Sequence, residues 1–330
     1  MDAEVRATLG LFRFNAFLIL AALLFFGLAL LLTNFRVYPT GYLVVFLVAA
    51  IYGWYGYQNI TSKHRQNFRR AFTLLAIAQM ILVLSVMTSI TYVATAANLP
   101  LRDETLLALD RAAGLDFRTY LNFINNRLWL IYILAAGYRA ISLPIWLIII
   151  VLPLAGHYRR TAEFACAFMV SLIATTVIST LVPATGVYGT IGLVRADFPN
   201  IDPQSYYNGM LEIPALRDGS LRLLSLFDLG GVLTFPSFHA ISAVLYAWAL
   251  WPLRWLRPFN LACNGAMLVA TPVGGGHYFA DVVAGIAIAM LSIYGVRYAH
   301  RSKTSLTSKT AAPSDVSDLR GTGAALMRRR

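Results

Sequence analysis

Residues 14–33 read FNAFLILAALLFFGLALLLT, twenty positions without a charge. At 1.5 Å per residue such a helix crosses the ~30 Å hydrocarbon core of a bilayer. The run is too long for the apolar core of a typical cleaved signal and has no clear small-residue cleavage site, so it reads as a membrane span. Seven more stretches read the same way, at about 38–57, 71–97, 128–152, 162–185, 237–253, 259–272 and 278–298. The stretch 259–272 is short, and reads either as re-entrant or as extended across Pro258. The expected fold is all-α: a polytopic integral membrane protein of about eight transmembrane helices.

Composition agrees. Of 330 residues, 58% are hydrophobic and 13% charged, against roughly 45–50% and about 25% in soluble domains. A water-soluble enzyme is excluded, as are disordered and collagen-like chains. Cys166 and Cys263 both sit in apolar stretches and read as small buried hydrophobes, leaving no disulfide framework and no paired-cysteine zinc site.

The net charge of +12 marks topology rather than a nucleic-acid surface. With the loops taken alternately, eighteen Lys and Arg fall on one side and eight on the other, and Arg139 lies inside a span. Positive loops stay cytoplasmic, which places both termini in the cytoplasm. Two long segments face outward. Residues 98–127 are amphipathic, with Leu101, Leu106, Leu107, Leu109 and Leu115 among Asp103, Glu104, Asp110 and Asp116, broken at Gly114, and are expected to lie along the membrane interface. Residues 187–236, rich in Gly, Pro, Asp and Tyr, read as an ordered outer cap. The organisation expected is two N-terminal spans in 1–70, a catalytic membrane core in 71–300 and a disordered basic cytoplasmic tail in 301–330. Tyr38, Tyr57, Trp129 and Trp251 read as interface anchors. No internal repeat or dinucleotide or phosphate-loop fingerprint occurs, which speaks against a symmetric carrier.

His64, His157 and His300 fall in basic segments and read as surface residues. His239 and His277 differ, because each stands at the outward start of an apolar helix just after turn-forming residues, in TFPSFHA and GGGHYFAD. His277 and Asp281 are spaced i, i+4, so they share a helix face. A carboxylate there can fix the tautomer and leave the other ring nitrogen as nucleophile or base. The bland alternative is a structural hydrogen bond closing a helix end. Gly274, Gly275 and Gly276 would let an anion approach backbone amides, and Ser237 fits an N-cap with amides pointing outward. Two anion-ready helix starts, each bearing a histidine, suit phosphoryl transfer.

FPSFHA, followed about 40 residues later by GGGHYFADVVAG, resembles the second and third signature motifs of the type 2 phosphatidic acid phosphatase superfamily, closest to the branch that includes inositol phosphorylceramide synthases. The likeness covers mainly residues 128–298, with its specific signal in about 20 positions. It implies a six-helix core, to which the first two spans are additions, and a metal-independent route without a cofactor. It further implies His277 as the nucleophile forming a phosphohistidine, Asp281 as its orienting partner and His239 as the acid for the leaving alcohol. Ser237, Gly275 and Gly276 would help hold the phosphate.

The chain departs from the family pattern in three places. Phe238 stands where many members have glycine, and Ala270 and Thr271 stand where Ser-Arg usually opens the third motif. The first motif has no counterpart in residues 186–200. The cation that offsets the phosphate must come from elsewhere, and Arg217, Arg222, Arg195 and Arg139 are the candidates, with Arg217 ranked first. The function expected is a lipid phosphatase or phosphotransferase at the extracytoplasmic face of the plasma (inner) membrane, taking a lipid phosphate or phospholipid. An inositol phosphorylceramide synthase-like head-group transferase is one alternative. The other is a non-catalytic lipid-binding or transport protein, against which the intact His239, His277 and Asp281 argue.

Overall fold

The computed structural model describes residues 3–62 and 66–310. The chain is helical: α1 (Ala3–Leu32), α2 (Pro39–Thr61), α3 (Phe68–Thr95), α4 (Asp103–Ala112), α5 (Phe117–Asn125), α6 (Leu128–Arg139), α7 (Ser142–Leu154), α8 (Tyr158–Leu181), α9 (Val187–Thr190), α10 (Gln204–Asp218), α11 (Phe238–Ala249), α12 (Arg257–Gly275) and α13 (Phe279–Thr310). Extended structure among the described residues is one parallel pairing of β1 (Arg36–Val37) with β2 (Leu223–Leu224).

The all-α membrane class holds, with fewer full spans than eight. By length and composition, α1, α2, α3, α8 and the Phe279–Ala299 part of α13 can cross a bilayer among the described residues. α6 and α7 make a sixth if counted together as one broken span, bent by 54°. Pro144 sits in the first turn of α7, where its missing N–H costs nothing, and the bend falls just before it. The other two expected spans fall short for separate reasons. α11 is apolar but has twelve residues, about 18 Å of helix. α12 carries Asn260, Asn264 and Pro272, which dilute its apolar character. Both are held inside the bundle, α11 against α8, α12 and α13, and α12 against α6.

Local sequence explains several boundaries. Asn67 caps α3 by accepting from the Arg70 N–H at 3.0 Å, and Asp116 caps α5 by accepting from the Thr119 N–H. α1 and α2 leave Phe17, Leu24, Leu31, Leu43, Leu47 and Trp54 exposed, a band that water would disfavour and lipid accepts. α1 packs on α3 and α8, and Asn15 Nδ2 donates to Gln79 Oε1 at 2.8 Å across that contact. Cys166 is buried, Cys263 half-buried, and both are free thiols.

Two apolar clusters form the core. The larger joins α1, α3, α7, α8 and α11 through residues such as Phe72, Met80, Ile148, Phe164 and Leu245. The smaller gathers Leu106, Leu121, Ile124, Tyr188, Phe198 and Tyr206 around Tyr278. Segment 98–127 forms α4 and α5, divided at Gly114 as expected; Leu106, Leu107, Phe117, Leu121 and Ile124 are buried against the 187–206 segment and the α12–α13 turn, while Leu101, Leu109, Leu115 and Phe123 stay exposed. Leu106 and Leu121 are fully covered because they close over Tyr188 and Tyr278 rather than lipid.

Several ties gather the outer segments at one end of the bundle. β1 pairs with β2, Asn200 bonds Asn125, and Arg217 Nη2 donates to the Leu99 carbonyl. α13 extends to Thr310, past the expected start of the tail; residues 311–330 and His64 lie outside the described residues.

Candidate active site

The turn between α12 and α13 is built from the glycine run. α12 ends at Gly275, and Gly276 caps it in the left-handed conformation, φ +67°, with its N–H donating to the Pro272 carbonyl. The run therefore closes a helix rather than opening one. A helix end presents carbonyls, and the Gly276 N–H is already engaged with Pro272. The His277 N–H also donates to Pro272 O, at 3.1 Å, which leaves His277 between an ending and a starting helix.

His277 Nδ1 lies 3.1 Å from Asp281 Oδ2, and the same oxygen accepts the Tyr278 N–H at 3.0 Å. Asp281 is fully buried and His277 nearly so. An ionised carboxylate only accepts, so the ring hydrogen sits on Nδ1 and Nε2 keeps its lone pair. The expected pairing forms, but not on one helix face: His277 precedes α13, and Asp281 in its first turn reaches back to the ring.

His239 is the second residue of α11. Ser237 is the N-cap, with Oγ accepting from the Ala240 N–H at 3.4 Å. The His239 ring stacks on Tyr138 of α6, with centroids 3.9 Å apart and planes 9° from parallel. His239 and His277 line one cavity of about 460 Å³, together with Phe238, Tyr138, Arg139 and Gly275. Leu84, Ile145, Phe168 and Leu172 make an apolar wall, while Ser205, Tyr206 and Asn208 of α10 bring the outer segment against the opening.

The remaining expected site residues separate. Ser237 is fully buried and its hydroxyl is engaged in the cap. Arg139, at the end of α6 beside the bend, lines the cavity and has no hydrogen bond or ion pair among the described residues. Arg217 and Arg222 do not line it. Arg217 bonds the Leu99 carbonyl, and Arg222 bonds the Leu216 and Leu221 carbonyls while covering the Phe35 ring. Arg195 bonds the Ile201 carbonyl and faces Asp202. Of the four candidate arginines, Arg139 is the one that lines the cavity. Both Arg217 and Arg222 are drawn to unpaired carbonyls of the outer segment, a local demand that residue type alone does not reveal.

Tyr138 was not foreseen, although a tyrosine inside a span has a hydroxyl needing a partner, which is itself a signal. Its neighbours explain part of the glycine run: a Cβ on Gly274 would come within 2.7 Å of the Tyr138 ring. Gly274 gives room for close packing on Tyr138, while a Cβ on Gly275, which lines the cavity, would stand 2.8 Å from His277 Nε2.

A family model of the PAP2 superfamily matches residues 104–295, from α4 into α13, and the chain belongs to that superfamily. Its members are phosphatases and phosphotransferases, so the activity is of the phosphoester class. No curated protein and no solved structure matches the chain.

Proposed function

We propose that this protein is a membrane-embedded lipid phosphatase or phosphotransferase that works through a phosphohistidine on His277. The observation that carries the reading is the His277–Asp281 pair facing the same cavity as His239. Nε2 of His277 attacks phosphorus, the bond from phosphorus to the lipid oxygen breaks, and His239, entering as imidazolium, gives that oxygen its proton. Water or a second alcohol then attacks phosphorus and passes its proton to His239, and the P–N bond breaks to restore His277. Arg139 offsets the phosphate charge, and the open amides at the start of α11 receive an equatorial oxygen. The excess of Lys and Arg on the opposite loops supports an extracytoplasmic site, cytoplasmic termini and residence in the plasma (inner) membrane.

The identity of the attacking group separates two readings. Among the described residues Arg139 is the single arginine or lysine lining the cavity. Attack by water makes the protein a phosphatase, and attack by an alcohol makes it a head-group transferase in the manner of inositol phosphorylceramide synthases.

The test is product analysis by mass spectrometry on the purified protein and His277→Ala. The substrates are phosphatidic acid, prenyl diphosphate and phosphatidylinositol, with diacylglycerol and ceramide as acceptors. Free phosphate that disappears in the variant identifies a phosphatase, and a new head-group lipid that disappears identifies a transferase. Products unaffected by the substitution overturn the mechanism.

A further inference from the structure

Between His277 and Asp281 lie Tyr278, Phe279 and Ala280, and α4 grips all three. Asp110 Oδ2 accepts the Phe279 N–H at 2.9 Å and Oδ1 accepts the Ala280 N–H at 2.8 Å. Asp103 Oδ1 accepts the Tyr278 hydroxyl at 2.9 Å. The same Asp103 carboxylate takes the N–H groups of Thr185 and Gly186, each at 2.9 Å to Oδ1. Val187, the next residue, donates its N–H to the Gly276 carbonyl at 2.8 Å. The residues on both sides of His277 are therefore tied to one short helix outside the spans.

The chemistry of these ties is unusual for a simple staple. Asp103 and Asp110 are seven residues apart, two turns of α4, so they share one face. Asp110 is 3% exposed and Asp103 9%, and a buried carboxylate is costly unless its oxygens are satisfied. Burial pushes the Asp110 carboxyl above the usual range, while the Ala280 and Phe279 amides pull it back. Asp110 also fills the positive end of α13. The Phe279 and Ala280 amides are thereby taken, while Arg139 and the start of α11 line the cavity with His277. Neither aspartate lines the cavity.

We infer that Asp103 and Asp110 are positioning residues for the nucleophile, making α4 a working part of the active site. This rests on the phosphohistidine reading. Displacing a reacting group by ~1 Å can cost about 10²-fold in rate, and the α4 grip is what fixes the His277 turn against such movement.

Orthovanadate, which takes a five-coordinate geometry like that of phosphorus under attack, tests this without knowledge of the lipid. Its affinity and its stoichiometry are measured by titration of the purified full chain, Asp110→Asn, Asp110→Ala, Asp103→Asn and His277→Ala. Wild type is expected to bind one vanadate, and His277→Ala none. Asp110→Asn keeps one acceptor oxygen and is expected to weaken binding about 10-fold, Asp110→Ala about 100-fold, both at one site per chain. A merely structural role would instead lower the number of sites and leave the affinity of the remaining ones unchanged; that result, or wild-type binding in both Asp110 variants, overturns the inference. Equal binding by wild type and His277→Ala overturns the nucleophile reading itself.

Discussion

The backbone N–H of Ser237 donates to the main-chain carbonyl of Asp281 at 3.1 Å. This one bond joins the start of α11 to the first turn of α13, so His239 and the His277–Asp281 pair hang from a common junction. The approach is possible because Gly285, one turn beyond Asp281, has no side chain: a Cβ there would stand 2.6 Å from the Ser237 carbonyl oxygen.

Gly285→Ala should therefore force the two helices apart. Overpacking of this kind costs roughly 1–3 kcal/mol, and the separation of the two histidines should lower turnover by about 10²-fold. Gly265→Ala, where nothing lies within 4 Å of the added carbon, should leave both unchanged. Thermal unfolding and turnover of the two variants in the same detergent check this, and equal behaviour would mean the junction does not set the site.

Asp281→Asn isolates the orienting role. Oδ2 holds both the His277 ring and the Tyr278 N–H, and Oδ1 is buried without a partner. The amide cannot satisfy Nδ1–H and Tyr278 N–H as a charged acceptor does, so His277 loses its fixed tautomer. By analogy with other carboxylate–histidine pairs the rate should fall about 10²–10⁴-fold, with protein yield and helicity retained. Quench-flow trapping of acid-labile, base-stable phosphohistidine should show slower formation in the variant; formation at the wild-type rate would remove Asp281 from the chemistry.

Arg139→Ala should weaken productive substrate binding by an amount typical of a charge-assisted hydrogen bond, about 1.5–3 kcal/mol or roughly 10–150-fold in kcat/KM. Arg222→Ala removes a guanidinium bonded to two carbonyls of its own loop and covering Phe35, so it should lower stability while kcat/KM stays within about 3-fold. Steady-state kinetics and melting of both variants make the comparison. The opposite pattern would move the phosphate to the outer loop.

What the sequence made legible, and what it hid, divides along the range of the interactions. Runs such as residues 14–33 declare themselves because hydrocarbon imposes a length on any spanning helix. The His277–Asp281 pair was legible from four-residue proximity, although the helix face assumed for it was not: His277 precedes α13, and Asp281 in the first turn reaches back to it. The orientation of the glycine run was not legible, since a glycine at a left-handed helix end and a glycine at a phosphate-binding start look the same in sequence. The partner of Arg217, the Leu99 carbonyl, comes from a distant part of the chain. So does the grip of α4 on the α13 start, which joins residues 170 positions apart. An amphipathic α4 read as interfacial because its apolar face could equally cover lipid or Tyr188.

Tyr138 offers the last test, because it meets the site on two sides. Its ring stacks on His239 at 3.9 Å and packs against Gly274. Tyr138→Phe keeps the stack, so turnover should stay within about 5-fold of wild type. Tyr138→Ala removes the surface that holds the His239 ring. Without it the imidazole can rotate away from the leaving oxygen, and the loss should approach the 10²–10⁴-fold typical of general acid catalysis. A substrate carrying an activated leaving group such as p-nitrophenol, which departs without protonation, should recover most of that loss. If Tyr138→Ala is equally impaired on the activated and the natural leaving group, His239 is not the acid that the stack positions.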